Sequence, residues 1–318
     1  MSLLDAIWLG ILQGLTEFLP VSSSGHLTVA EYLLGYNPEK ELLFKLVVHL
    51  GTLLAVIWVY RRSLTRYMQE LIGLFRPLEE RTRFERLRHE DWSKEIQFIL
   101  LATIPTGLIG ILFNKSIKAA FSSLTIVGLM FAITGILLFS SRFFPNPHRH
   151  LYELGWWRAV LIGVAQGFAI MPGISRSGTT IIIALMLGLR REESARYSFL
   201  LAIPAIAGAL VLEGRKANLD SIVWMPLVTG LVVSMITGYL ALIWLIRLVK
   251  QGQLQWFAPY MWIAASFTLV LSLNQGKAQT MPKTPVRAVK KISKPTPAKT
   301  RIHPRSPKRS TSATPVIR

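Results

Sequence analysis

"QGLTEFLPVSSSGH", residues 13–26, sits inside a run of sequence that is otherwise apolar. It carries a carboxylate, a proline, three consecutive serines, a glycine and a histidine. Polar groups in apolar surroundings are costly without partners. Proline and a serine run also end a helix, and irregular backbone at membrane depth survives only where protein or a water-filled cavity encloses it. The stretch therefore predicts a bend between two half-helices, near 3–33, that returns to the side it came from. A second apolar region, near 157–190, is broken in the same way by "MPGISRSGTT" (171–180).

The two breaks resemble each other. A shift of 153 residues places Gln13 on Gln166, Gly14 on Gly167, and Ser22, Ser24 and Gly25 on Ser175, Ser177 and Gly178, without a gap. Upstream, Ala6 falls on Ala159 and Gly10 on Gly163. The shared residues are polar or glycine rather than Leu and Val. Paired interrupted helices in two halves of a chain are the pattern of inverted-repeat membrane proteins, whose sites form where the breaks meet.

The rest of the chain fits that class. Of 318 residues, 51% are hydrophobic and only 17% charged, against about 25% in a soluble domain. Six segments are long enough to cross a bilayer: 46–60 (starting nearer 42), 96–113, 124–140, 197–213, 223–246 and 256–273. The expected fold is all-α: a polytopic membrane protein with six full transmembrane helices plus two re-entrant helix hairpins in an inverted-topology repeat. The embedded domain covers 1–275, with repeat one at about 1–140 and repeat two at about 155–273. Residues 1–12 lack a basic n-region and a small-residue cleavage site, so no cleavable leader is expected. The small residues of "GLMFAITG" (128–135) suit packing against a helix of a second copy, and so admit a homodimer.

Connections 61–95, 141–158, 190–196 and 247–250 hold 17 Lys/Arg, whereas 31–45, 114–123 and 214–222 hold 6. The first group is expected on the cytoplasmic side. The first hairpin then enters from outside and the second from inside, as inversion demands. Residues 276–318 read as a basic disordered tail: from Lys277 on there are twelve Lys/Arg, seven prolines and no Asp or Glu. Six crossings leave this tail outside, against the positive-inside rule. Either one broken segment spans fully or the tail is exported despite its charge. With no aromatic residue interleaved among its basic ones, it carries no nucleic-acid signal.

The breaks carry the chemistry. Arg176 lies between Ser175 and Ser177 and is followed by Gly178, Thr179 and Thr180, the composition of a helix N-terminus that attracts anions. Its guanidinium can grip phosphate oxygens in bidentate fashion. An arginine this deep in apolar sequence points to a functional site; pairing with Glu17 to join the repeats is compatible with that role. Glu17 lies one turn after Gln13, on the same helix face. Ser22, Ser23, Ser24 and His26 add hydroxyls and a titratable imidazole. An anion clamp, a carboxylate, candidate nucleophiles and an acid/base group suit phosphoryl transfer, where catalysis is positioning plus charge neutralisation. His26, Ser23 or water could each be the nucleophile. Transport of an anionic lipid would use Arg176 equally but has no evident need for His26. The chain has no cysteine and its 6 histidines lack metal-ligand spacing, which excludes disulfides and thiolate chemistry and argues against a zinc site.

These motifs resemble those of the undecaprenyl-diphosphatase family linked to bacitracin resistance: (E/Q)xxxE, then "PVSSSGH", then "PGISRSGTT", with "HLGTLLAV" (49–56) and "YSFLLAIPA" (197–205) also similar. The likeness covers roughly 1–273 and excludes the tail. It implies a bacterial cytoplasmic (inner) membrane enzyme, with its site on the outer side, that converts undecaprenyl diphosphate to undecaprenyl phosphate. It also implies a divalent cation, Mg2+ or Ca2+. On the resemblance, Glu17, His26, Ser23 and Arg176 are the catalytic positions. Ser175, Ser177 and Thr180 fill its phosphate-binding positions, to which the reading of the breaks adds Ser22, Ser24 and Gly178 as phosphate contacts and Glu17 with Gln13 as candidate metal holders. Gln13 stands where many members have a second glutamate, which leaves Glu17 as the motif's sole carboxylate. Ser24 stands for a common threonine and keeps the hydroxyl.

Overall fold

Each broken region forms two helices separated by a short turn. In the first, α1 (Leu3–Phe18) is started by a capping box between Ser2 and Asp5, and α2 (Ser23–Leu34) follows the Leu19–Ser22 break. The computed structural model describes residues 2–36, 42–73, 83–144, 147–215 and 223–280, with backbone alone for 83–90 and 275–280. The further helices are α3 (Leu42–Val59), α4 (Arg61–Gly73), α5 (Arg83–Leu112), α6 (Asn114–Phe121) and α7 (Leu124–Ser140). Beyond them lie α8 (Trp156–Phe168), α9 (Arg176–Met186), α10 (Arg191–Gly214), α11 (Trp224–Lys250) and α12 (Ala258–Thr280). Among the described residues there is no strand, only an isolated bridge between Arg149 and Leu189.

Six stretches are long and apolar enough to cross a membrane: Leu42–Val59, Asp91–Leu112, Leu124–Phe143, Arg191–Gly214, Trp224–Lys250 and Leu254–Asn274. They are the six expected from sequence, most of them longer by a turn or so. The protein is a multi-pass, all-helical membrane protein. Its outward surface agrees, because Trp8, Ile111, Leu112, Ile136, Ile263 and Leu273 are all exposed. In water such a surface would be an association liability; in lipid it is a solvated one.

The 153-residue shift reappears in the helices. Leu3 and Trp156 begin α1 and α8, and Ser23 and Arg176 begin α2 and α9. Gly10 and Gly14 of α1 lie against Gly230, Ser234 and Thr237 of α11, while their counterparts Gly163 and Gly167 of α8 lie against Ala102 and Ile109 of α5. Small residues four apart let backbones approach closely where lipid supplies no hydrophobic drive between helices. Thr106 of α5 seals the second contact by donating to the Gly163 carbonyl at 2.8 Å. α1 and α8 thus each pack a glycine face on a long helix, α11 and α5 respectively. A core of Phe18, Val56, Phe131, Ile181, Ile182, Phe199 and Leu242 surrounds the breaks, joining α1, α3, α7, α9, α10 and α11.

Three sequence readings are revised. The 61–95 connection contains α4, held by Tyr67, which donates to Glu95 at 2.8 Å. Glu95 is paired with Arg196, so that arginine, counted among loop charges, is an internal ion-pair partner. The 114–123 connection contains α6. Gly128 and Gly135, the stripe assigned to a second copy, face Leu269 and Trp262 of α12 within the same chain. The basic tail lies outside the described residues from 281 onward; α12 itself runs to Thr280.

A methyl group on Gly163 would sit 2.1 Å from the Ala102 carbonyl oxygen, whereas one on Gly208 meets nothing within 4 Å. Gly163→Ala should cost about 1–3 kcal/mol of stability and lower the thermal midpoint in detergent, with Gly208→Ala unchanged or slightly raised.

Candidate active site

Glu17 lies in the last turn of α1 and is the point on which three other helices converge. Gln13, one turn earlier, donates Nε2 to Glu17 Oε2 at 3.0 Å. Ser23, the first residue of α2, donates Oγ to the same oxygen at 2.6 Å. Arg176, the first residue of α9, donates Nη2 to Glu17 Oε1. His49 of α3 places Nε2 3.8 Å from Oε2, its Nδ1 lying 2.8 Å from the Lys45 carbonyl. The Glu17 side chain is 3% exposed and that of Arg176 22%, so an anion can reach the guanidinium while the carboxylate stays covered.

The two breaks touch. Ser22 caps α2 through Gly25 N–H at 3.4 Å, and its Oγ also accepts from Gly173 N–H of the second break at 3.1 Å. To do both, Ser22 adopts φ 68° and ψ 94°, the one positive φ of a non-glycine residue among those described. Such conformations are strained and persist only when surroundings over-determine them. Ser175 caps α9 in the matching way, through Gly178 N–H at 3.1 Å. The hydroxyl pairs Ser22–Ser24 and Ser175–Ser177 lie 3.4 and 3.3 Å apart. Thr134 of α7 donates to the Gly173 carbonyl at 2.9 Å and accepts from Ser175 N–H at 3.1 Å, which pins the second break to α7. Gly173 has φ +98° and no room for a side chain, since a Cβ would lie 2.5 Å from the Val127 carbonyl.

Glu17, Phe18, Arg176, Ser177, Ser198, Phe199 and Ala202 line a small cavity at this junction. Thr180 Oγ1 lies 2.5 Å from Ser198 Oγ on its wall. Of the residues singled out in sequence, Gln13, Glu17, Ser23 and Arg176 form one bonded cluster, while Ser22, Ser24, Ser175, Ser177, Gly178 and Thr180 frame it. His26 does not line the cavity. Its Nδ1 lies 2.8 Å from the Ser22 carbonyl, its Nε2 2.7 Å from the Tyr260 hydroxyl, and its ring packs on Phe131 and Tyr260. His26 is tied to the site through the Ser22 backbone and its place three residues after Ser23 on α2. Sequence reasoning missed His49, Ser198 and Tyr260. For His49 a signal existed, an ionisable group within an apolar span; the other two are ordinary span residues.

A family model described as bacitracin resistance protein BacA matches residues 6–267. The chain belongs to the BacA family. Members similar to it are each named undecaprenyl-diphosphatase. One from Desulfatibacillum aliphaticivorans is 43% identical over 84% of this chain and 98% of its own length. One from Desulforapulum autotrophicum is 40% identical over 85% and 98%, and one from Halothermothrix orenii is 38% identical over 86% and 99%. The BacA match takes in both breaks, α3 with His49, and α12 through Tyr260 as far as residue 267.

In this BacA-family chain the strained cap separates two effects. Ser22→Ala should lose about 0.5–2 kcal/mol, since it keeps the strain and drops both hydrogen bonds. Ser22→Gly should lose less, because glycine adopts positive φ freely. Thermal unfolding of the two purified variants checks the order.

Proposed function

We infer that this protein hydrolyses undecaprenyl diphosphate to undecaprenyl phosphate and inorganic phosphate, which returns the lipid carrier to cell-wall glycan synthesis and confers bacitracin resistance. The carrying observation is the buried Glu17–Arg176 pair at the meeting of two serine-rich breaks, in a chain whose relatives bear that activity in their names.

The terminal phosphate enters beside Arg176, whose guanidinium exchanges its bond to Glu17 for phosphate oxygens. Ser22, Ser24, Ser175, Ser177 and Thr180, with the Gly178 backbone at the start of α9, complete the anion cradle. The P–O bond to the bridging oxygen breaks, and that oxygen leaves on the lipid phosphate. The attacking atom is water, Ser23 Oγ or His26 Nε2; where a side chain attacks, water then cleaves the phosphoenzyme, releasing inorganic phosphate and restoring the residue. Ser23 already donates to Glu17, the arrangement of a nucleophile beside a base. His26 acts only at Nε2, because Nδ1 faces a carbonyl. A phosphohistidine trapped in acid-labile form would single out His26 as the nucleophile.

Gln13 Oε1 is buried beside Glu17 with no hydrogen-bond donor, which suits a divalent cation. Mg2+ or Ca2+ would be held by Gln13, Glu17 and substrate phosphate oxygens, supplying charge neutralisation at the diphosphate. No three acidic, histidine or cysteine side chains converge among the described residues, so substrate oxygens must complete that shell.

The matched helix starts and caps support an inverted repeat of two re-entrant hairpins. The charge asymmetry of the connections supports a site on the outer side of the bacterial cytoplasmic membrane. A homodimer would use a face other than Gly128–Gly135.

Purified protein should release phosphate from a C55 diphosphate, lose that activity in chelator and regain it with Mg2+ or Ca2+. His26→Ala should abolish turnover while keeping the fold. Arg176→Lys keeps charge but loses the fork, and should drop kcat roughly 100-fold. Near-normal turnover of either variant would remove that residue from the mechanism.

A further inference from the structure

Tyr260 lies on α12, 234 residues from His26 in sequence, yet its hydroxyl is 2.7 Å from His26 Nε2. The two rings lie nearly parallel, 6° apart, with centroids separated by 5.7 Å. On the other side of the imidazole, Nδ1 is 2.8 Å from the Ser22 carbonyl oxygen. A carbonyl only accepts, so Nδ1 carries the proton and the neutral ring keeps its lone pair on Nε2. A phenol donates to that lone pair. The imidazole is thereby fixed at both nitrogens, and its plane is set by Phe131 at 5.0 Å and by Tyr260. No charged side chain bonds to either nitrogen.

We propose that Tyr260 is a positioning residue for the phosphatase reaction: its phenol, with the Ser22 carbonyl, fixes the ring plane and tautomer of His26, with the proton on Nδ1 and the lone pair on Nε2. The inference rests on the hydrolase reading above. Nδ1 is bound to the Ser22 carbonyl, and the Ser22 side chain is itself tied to the second break through Gly173 N–H. The Tyr260–His26 bond joins the last span of the chain to the first hairpin, and thus makes the site depend on α12 although α12 adds nothing to the phosphate cradle.

Tyr260→Phe tests this with two readouts. The variant loses one hydroxyl and keeps the ring stack. Turnover of the C55 diphosphate should fall roughly five- to tenfold in kcat, the worth of one hydrogen bond, with KM unchanged because the phenol does not hold phosphate. In 15N-histidine-labelled protein, the His26 Nε2 resonance, assigned by its loss in His26→Ala, should move downfield toward the position of an unbonded lone pair, with Nδ1 unmoved. A shifted resonance with unchanged kcat would mark the bond as structural only. Wild-type kcat in the variant, or an unshifted Nε2, overturns the proposal while the enzyme reading stands. Absence of phosphate release by the wild-type protein, with an intact Nε2 hydrogen bond by NMR, overturns the enzyme reading and the catalytic part of the proposal with it.

Discussion

A carboxylate buried between apolar helices must find a cation, and this architecture follows from that need. Glu17 ends one half-helix, and the guanidinium that satisfies it begins another, 159 residues later. Neither charge is stable at that depth without the other. The pair can form only if the two breaks meet, which the Ser22–Gly173 hydrogen bond and the absence of a side chain on Gly25 and Gly173 allow. The glycine contacts of α1 on α11 and α8 on α5 set the approach, and α7 supplies the hydroxyl that pins the second break.

The same pair explains how the site rests between turnovers. Arg176 is held on Glu17 and near the Ala202 carbonyl. In the resting site neither the buried carboxylate nor the guanidinium stands alone. Frustration is stored nearby: the positive φ of Ser22 lies in the first break, and the acceptor of Gln13 without a donor lies on the helix that leads into it. Strained backbone and an unmet polar atom are what a site poised for a ligand retains.

Much of this was legible in the sequence. Hydropathy located the six spans because each needs about 20 apolar residues whatever its partners. The breaks were legible because proline, glycine and serine runs have local consequences. What escaped was set by tertiary packing. The amphipathic α4 was hidden in a charged connection, and its anchor, Glu95 with Arg196, links residues 101 apart. The glycines of α7 looked outward in sequence because nothing local distinguishes a neighbouring helix from a second chain. Tyr260 gave no sign at all, being one aromatic residue among many in a lipid-facing span. His49 was readable by the rule that exposed Glu17 and Arg176, since its titratable ring is equally out of place among aliphatic neighbours.

The 153-residue offset aligns Glu17 with Ile170 and Ser23 with Arg176. The cation therefore belongs wholly to one half and the anion wholly to the other. Two copies of the leading half would oppose two carboxylates to serines; two copies of the trailing half would set two guanidiniums against isoleucines. Two identical segments could not make this contact, so the electrostatics of the centre depend on the difference between the two breaks. Joining them on one polypeptide guarantees that opposite charges are always delivered in equal number.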